Sequence, residues 1–274
     1  MHRLAKNKWL LARRGTQLGI LALFMLGPWF GLWLVKGNLS FSLTADTLPL
    51  TDPYVLLQSM VAGHWPETIA ISGALIVGIA YLLLGRVYCS WVCPLNMLTD
   101  FASWLRNRLG VKAGSYVSRD MRYWLLLATL VLPVISGVMV WELVNPVSLL
   151  HRGLLFGISA GWLIIAMVFV VDLLVSRRAW CGHICPMGAF YSLLGKWALV
   201  RVSAKRREAC NDCMDCFAVC PEPQVIKPAL KGAKNGLGPL IMDADCTNCA
   251  RCLDVCSKDV FEFSTRFNNT ADSA

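Results

Sequence analysis

Two cysteine runs near the C-terminus constrain this chain more than any other feature in it. "CNDCMDCFAVCP" places Cys210, Cys213, Cys216 and Cys220 at the spacing C-x2-C-x2-C-x3-C. "CTNCARCLDVC" repeats that spacing with Cys246, Cys249, Cys252 and Cys256, and Ser257 stands where the first run has Pro221. Thiolates are soft, anionic donors, and three of them this close together let one loop wrap three corners of a [4Fe-4S] cubane. Paired C-x2-C elements also build zinc sites. Three close cysteines followed by a fourth suit the cubane better.

In two-cluster ferredoxins the fourth cysteine of each run crosses to the other cluster. That pattern assigns Cys210, Cys213, Cys216 and Cys256 to one cluster, and Cys246, Cys249, Cys252 and Cys220 to the other. The expected unit is a small α+β ferredoxin-like domain over residues 201–267 binding two [4Fe-4S] clusters. It is entered through the basic linker "RVSAKRRE", and the polar tail 268–274 is read as disordered.

The rest of the chain is far more apolar. With 56% hydrophobic and 16% charged residues, the composition departs from that of an ordinary water-soluble domain. Four segments, Gln17–Val35, Thr68–Leu84, Tyr123–Leu143 and Leu155–Val175, approach the roughly 20 apolar residues that cross a bilayer as a helix. They predict an all-α polytopic membrane domain, four transmembrane helices over residues 17–200, behind a basic N-terminus at 1–16. Gly27-Pro28 and Pro133 are expected to bend their helices.

Basic residues fall in three groups. Arg3, Lys6, Lys8, Arg13 and Arg14 precede the first segment, and Arg86, Arg106, Arg108, Lys112, Arg119 and Arg122 follow the second. Arg177, Arg178, Lys196, Arg201, Lys205, Arg206 and Arg207 follow the fourth, whereas residues 37–66 hold no lysine or arginine. The positive-inside rule then places both termini, and every cysteine, on the cytoplasmic side of a bacterial inner membrane. The net charge of +9 reads as topology and contact with anionic lipid, not as a nucleic-acid footprint. A reducing compartment also argues against disulfides.

An internal repeat accounts for the other four cysteines. "RVYCSWVCPLNMLTDFASWL" from Arg86 recurs as "RAWCGHICPMGAFYSLLGKW" from Arg178, with the arginine, an aromatic, both cysteines and the proline in register. The four predicted spans are thus two repeated pairs, each delivering a C-x3-C-P motif and then an amphipathic stretch to the same face. Three readings of Cys89, Cys93, Cys181 and Cys185 stand: a further metal or cluster site, a redox-active thiol relay, or small buried residues. Their position ahead of the ferredoxin runs favours electron transfer or metal binding over disulfide chemistry.

With four spans, "YCSWVCP", "WCGHICPMGAFY" and a double ferredoxin run, the chain resembles the ferredoxin-type membrane quinol dehydrogenase subunit of the periplasmic nitrate reductase system, the NapH type. It also resembles the wider membrane polyferredoxin group. The resemblance implies an electron-transfer subunit that takes electrons from membrane quinol toward periplasmic nitrate reduction. Its implied partners are a periplasmic multi-cluster ferredoxin and other nitrate reductase components. A metal reductase or maturation factor for a respiratory enzyme is the alternative from another class, and a structural docking scaffold for a redox complex is the third. Quinol oxidation needs proton acceptors, for which His64, Glu67, Glu142, His151, Asp172 and His183 are the ionisable candidates. No nucleotide or flavin fingerprint occurs.

Overall fold

The computed structural model describes residues 7–111, 117–157 and 159–268. Arg3, Lys6, Lys112 and the tail beyond Asn268 lie outside the described residues.

Among the described residues no helix is long and apolar enough to cross a membrane, which corrects the expected four-span domain. Each expected span fails for a local reason. Helix α1 runs from Lys8 to Phe30, but its first turns carry Lys8, Arg13 and Arg14. Its apolar part from Gln17 covers only about 21 Å at ~1.5 Å per residue, against a hydrocarbon core of about 30 Å. Beyond it the chain turns into a three-stranded antiparallel meander, β1 Val35–Gly37, β2 Phe41–Thr44 and β3 Leu48–Thr51, in which Val35 faces Thr44 and Phe41 faces Thr51. Asp52 then caps α2, Pro53–Val61, by accepting the Tyr54 and Val55 N–H groups, the capping role for which aspartate is favoured.

The second expected span is α3, Thr68–Leu84, of 17 residues, about 26 Å long. After it, and after the first C-x3-C-P motif, α4 covers Leu95–Arg108, where the repeat predicts an amphipathic stretch. The third span shortens to α5, Met121–Ser136, with Pro133 in its last turn and Gly137 in the left-handed conformation at its end. Two short helices follow, α6 Val140–Val144 and α7 Pro146–Phe156, and Gly157 at φ +87° ends α7 inside the fourth expected span. That span becomes α8, Gly161–Val170, with a π-helical turn at Val171–Val175.

The chain divides into two units. The helical unit comprises residues 17–79 and 93–190. Its interior is polar as well as apolar: the buried Tyr54 hydroxyl lies 2.6 Å from Thr129 Oγ1, and Gln58 Nε2 donates to the Thr129 carbonyl at 2.8 Å.

The second unit assembles the described parts of 1–16, 80–92 and 191–274. Strand β4, Val200–Ser203, pairs antiparallel with β5, Glu262–Thr265. Around them Val202, Ala204, Val225, Ile226, Ala229, Leu230, Ile241, Val260 and Phe261 form a small core that also takes in Cys216. Two remote segments complete the unit. Trp9 and Leu10, at the start of α1, donate their N–H groups to the Asp254 carboxylate. The Trp9 ring meets Trp91 and Phe263 edge-on, with centroids 6.1 and 5.1 Å away.

The basic residues do not all behave as a lipid-facing charge. Arg13, Arg86, Arg106, Arg122, Arg178 and Arg201 are buried. Arg201, for example, donates to the carbonyls of Gly195, Lys196, Ala198 and Asp243. A guanidinium carries five donors in a fixed fork, so a buried arginine can staple several loop carbonyls at once.

Candidate metal centre

The two cysteine runs adopt one backbone plan. In the first, Asp212 and Met214 take positive φ (+59° and +61°), and in the second Asn248 and Ala250 do so at the matching places (+46° and +57°). Left-handed residues before and after the second cysteine curl each loop in the same way. Asp and Asn accept this conformation readily, whereas Met and Ala do not. Each loop then feeds a single short helix, α9 Asp215–Val219 or α10 Arg251–Val255. The helix delivers the fourth cysteine, Cys220 or Cys256, in extended backbone at its far end.

Because α9 and α10 pack on each other, each fourth cysteine arrives beside the other run. One cavity is lined by Cys210, Cys213, Cys216 and Cys256, with Leu230, Val260 and Phe261 behind them. A second is lined by Cys220, Cys246, Cys249 and Cys252, with Val225, Ile226 and Ile241. The loops differ in exposure. Asn211, Asp212 and Cys213 face solvent, while Thr247, Asn248 and Cys249 are buried.

Burial makes these sulfurs poor free thiolates. It pushes Cys216 up to about 11 and Cys246 up to about 12. Burial and then the neighbouring cysteines push Cys252 well above the ordinary thiol value. At Cys249 burial acts the same way, but Arg251 and Arg13 prevail and hold the thiol below its ordinary value. Four soft donors round each cavity are what a thiolate-ligated cluster requires. Among the described residues no three His, Cys, Asp or Glu side chains stand close enough to hold a single metal ion.

The C-x3-C-P motifs are both wound as π-helical turns, Tyr88–Val92 and Trp180–Ile184, a form frequent at functional sites. Cys89 belongs to the unit that carries the cysteine runs, and Cys93, Cys181 and Cys185 to the helical unit. Cys93 is buried, and its carbonyl accepts from Gln17 Nε2 at 3.3 Å. Cys181 Sγ lies 4.0 Å from Thr99 Oγ1, and Cys185 Sγ accepts the Gly188 N–H at 3.4 Å. Trp180 stacks on Trp141, and the Trp180 N–H donates to Asp172 Oδ1 at 2.9 Å.

The proton-acceptor candidates scatter. His64 and Glu67 are exposed, and Glu142 accepts from Asn145. His151 is buried against the Phe24 ring. Asp172 is fully buried, and that burial pushes its carboxyl up to about 7 against the pull of the Trp180 N–H and Arg178. Burial, then Arg119 and Arg122, hold His183 below its ordinary value.

The most informative residues around the sites were not singled out by spacing. Arg86 donates to the Asp245 carbonyl at 3.3 Å and reaches its carboxylate at 3.5 Å. Ser192 donates to the same carboxylate at 2.6 Å. Arg178, the repeat partner of Arg86, pairs with Asp100 at 3.1 Å. The sequence signal for both arginines was their register in the repeat, whereas nothing near Asp254, Ser192 or Asp245 marks them.

Family models match in agreement with these features. A 4Fe-4S binding domain matches twice, at residues 67–112 and 158–205, and a 4Fe-4S dicluster domain matches at 209–260. The chain is 47% identical to the ferredoxin-type protein NapH of Escherichia coli K12, covering 97% of this chain and 93% of that one. It is 49% identical to the methylamine utilization ferredoxin-type protein MauN of Methylorubrum extorquens, over 96% and 91% of the two chains. With the MauN of Paracoccus denitrificans the identity is 52%, over 89% and 85%. No solved structure matches.

Proposed function

From the premise that this chain belongs to the family of ferredoxin-type proteins NapH and MauN, we propose that it is an electron-transfer protein with two [4Fe-4S] clusters. One would be held by Cys210, Cys213, Cys216 and Cys256, the other by Cys220, Cys246, Cys249 and Cys252. The observation that carries this reading is the pair of cavities, each lined by three cysteines of one run and the fourth of the other. When bound, such clusters supply one-electron oxidation and reduction. The protein's own part is to orient the thiolates, bury one loop and leave the other open to water. Anaerobically prepared protein should contain about eight irons per chain and show cubane signals on reduction. Stoichiometric zinc without iron would end the reading.

The finer proposal is a quinol dehydrogenase component that passes electrons from the quinol pool toward periplasmic nitrate reductase, through a multi-cluster ferredoxin partner. The likeness to NapH supports it. The likeness to MauN is as strong and supports a second reading, service to methylamine oxidation. Deleting the gene and comparing growth on nitrate and on methylamine separates the two. For the membrane, the support is exposed apolar bulk on the helical unit, including Trp65, Trp124, Ile135, Phe156 and Leu163, each at least 70% exposed. An apolar surface of this kind marks a membrane or partner contact. Exposed Lys8 and Arg206 suit anionic headgroups on the cytoplasmic face of the inner membrane.

A further inference from the structure

The repeat treats the two C-x3-C-P motifs as equals, and Cys89, Ser90 and Trp91 of the first belong to the unit that carries the cysteine runs. Ser90 and Trp91 lie between Cys89 and Cys93, and Thr247 and Asn248 lie between Cys246 and Cys249. Ser90 Oγ donates to the Thr247 carbonyl at 2.7 Å, and Trp91 Nε1 donates to the Asn248 carbonyl at 3.1 Å. Ser90 and Thr247 are both buried, so their hydrogen bond acts in a low-dielectric setting.

Between Cys246 and Cys249 the Thr247 carbonyl accepts from Ser90 and the Asn248 carbonyl from Trp91, and Asn248 Oδ1 lies 3.6 Å from the Cys246 sulfur. A donor on a peptide carbonyl offsets the partial negative charge that the oxygen otherwise presents beside the sulfurs. The charge around a cluster, in turn, is among the determinants of an iron–sulfur potential. The side chain of Asn248 anchors the loop further, donating to the carbonyls of Leu84 and Val200 at 2.7 and 3.0 Å. Gly85, at φ +76°, allows this approach, because a Cβ there would sit 3.2 Å from that of Ala198. In the other run the corresponding residues Asn211 and Asp212 face solvent.

We propose that Ser90 and Trp91 are positioning residues for the site of Cys220, Cys246, Cys249 and Cys252, acting through the Thr247 and Asn248 peptides to raise its reduction potential above the value the cysteines alone would give. The sign follows from charge. Reduction adds a negative charge at the sulfurs, and donors that offset the negative ends of the neighbouring peptides make that charge less costly. This inference rests on the two-cluster reading above.

The test is a redox titration of the iron-loaded protein followed by electron paramagnetic resonance, after iron analysis of the unsubstituted chain. Ser90→Ala and, separately, Trp91→Phe should each move one of the two midpoint potentials to a more negative value and leave the other where it was. Ser90→Thr, which keeps the hydroxyl, should restore the original value. Two unchanged potentials, or two that move together, overturn the proposal while the two-cluster reading stands. Iron for a single cluster in the unsubstituted chain overturns both.

Discussion

Cys220 and Cys256 are the residues on which the crossed assignment turns, because each sits at the end of a helix begun in one run and lines the cavity of the other. Cys256→Ser should therefore remove the same spectral component as Cys213→Ser, and Cys220→Ser the same component as Cys249→Ser. Comparing reduced spectra and iron content of the four variants checks this, and matching losses within each run would reverse the pairing. The thiols give a second prediction. In iron-free protein at pH 7 exposed Cys213 should alkylate faster than Cys216 or Cys246, since thiolate is the reactive form and burial keeps the latter two protonated. With folded-state values raised above 9, iron-free folded protein binds more protons than unfolded chain above that pH. Its stability should thus be full below pH 9 and fall as pH rises toward 11, which denaturant titrations across that range would read.

Among the elements, the repeated turn and its buried arginine recur in both halves. Arg178, at φ +55°, opens the second π-helical turn and pairs with Asp100 on α4, both side chains largely buried. Removing one member of a buried pair strands the other charge, at about 3–5 kcal/mol. Arg178→Met should lower the unfolding midpoint of the helical unit markedly. The double variant Arg178→Met with Asp100→Leu should recover most of the loss, because neither charge is then left alone. An additive double variant would show that the pair is not what holds the turn.

For the whole molecule the exposed apolar residues of the helical unit demand a cover. The protein should sediment with the membrane fraction and need detergent to leave it. Recovery in the high-speed supernatant without detergent would remove the membrane from the account. Among the described residues no helix is long and apolar enough to cross a membrane, although the composition is apolar. Segment Leu155–Val175 shows how: its residues are as apolar as a span requires, but Gly157 and the π-helical turn at Val171 divide it.

Spacing alone points to the chemistry proposed for the eight C-terminal cysteines, because a cubane's corners dictate how many residues separate its thiolates, and that constraint is local in the chain. The repeat likewise located both C-x3-C-P motifs and the amphipathic helix α4. Helix ends were less legible, since Gly137 and Gly157 act through backbone angles that a hydropathy pattern does not register. Which loop is buried, which motif reaches a cysteine run, and why Asp254 accepts from Trp9 and Leu10 depend on segments some 150 to 245 residues apart. Only the tertiary structure brings those together, because a hydrogen bond between distant segments leaves no spacing behind in the sequence.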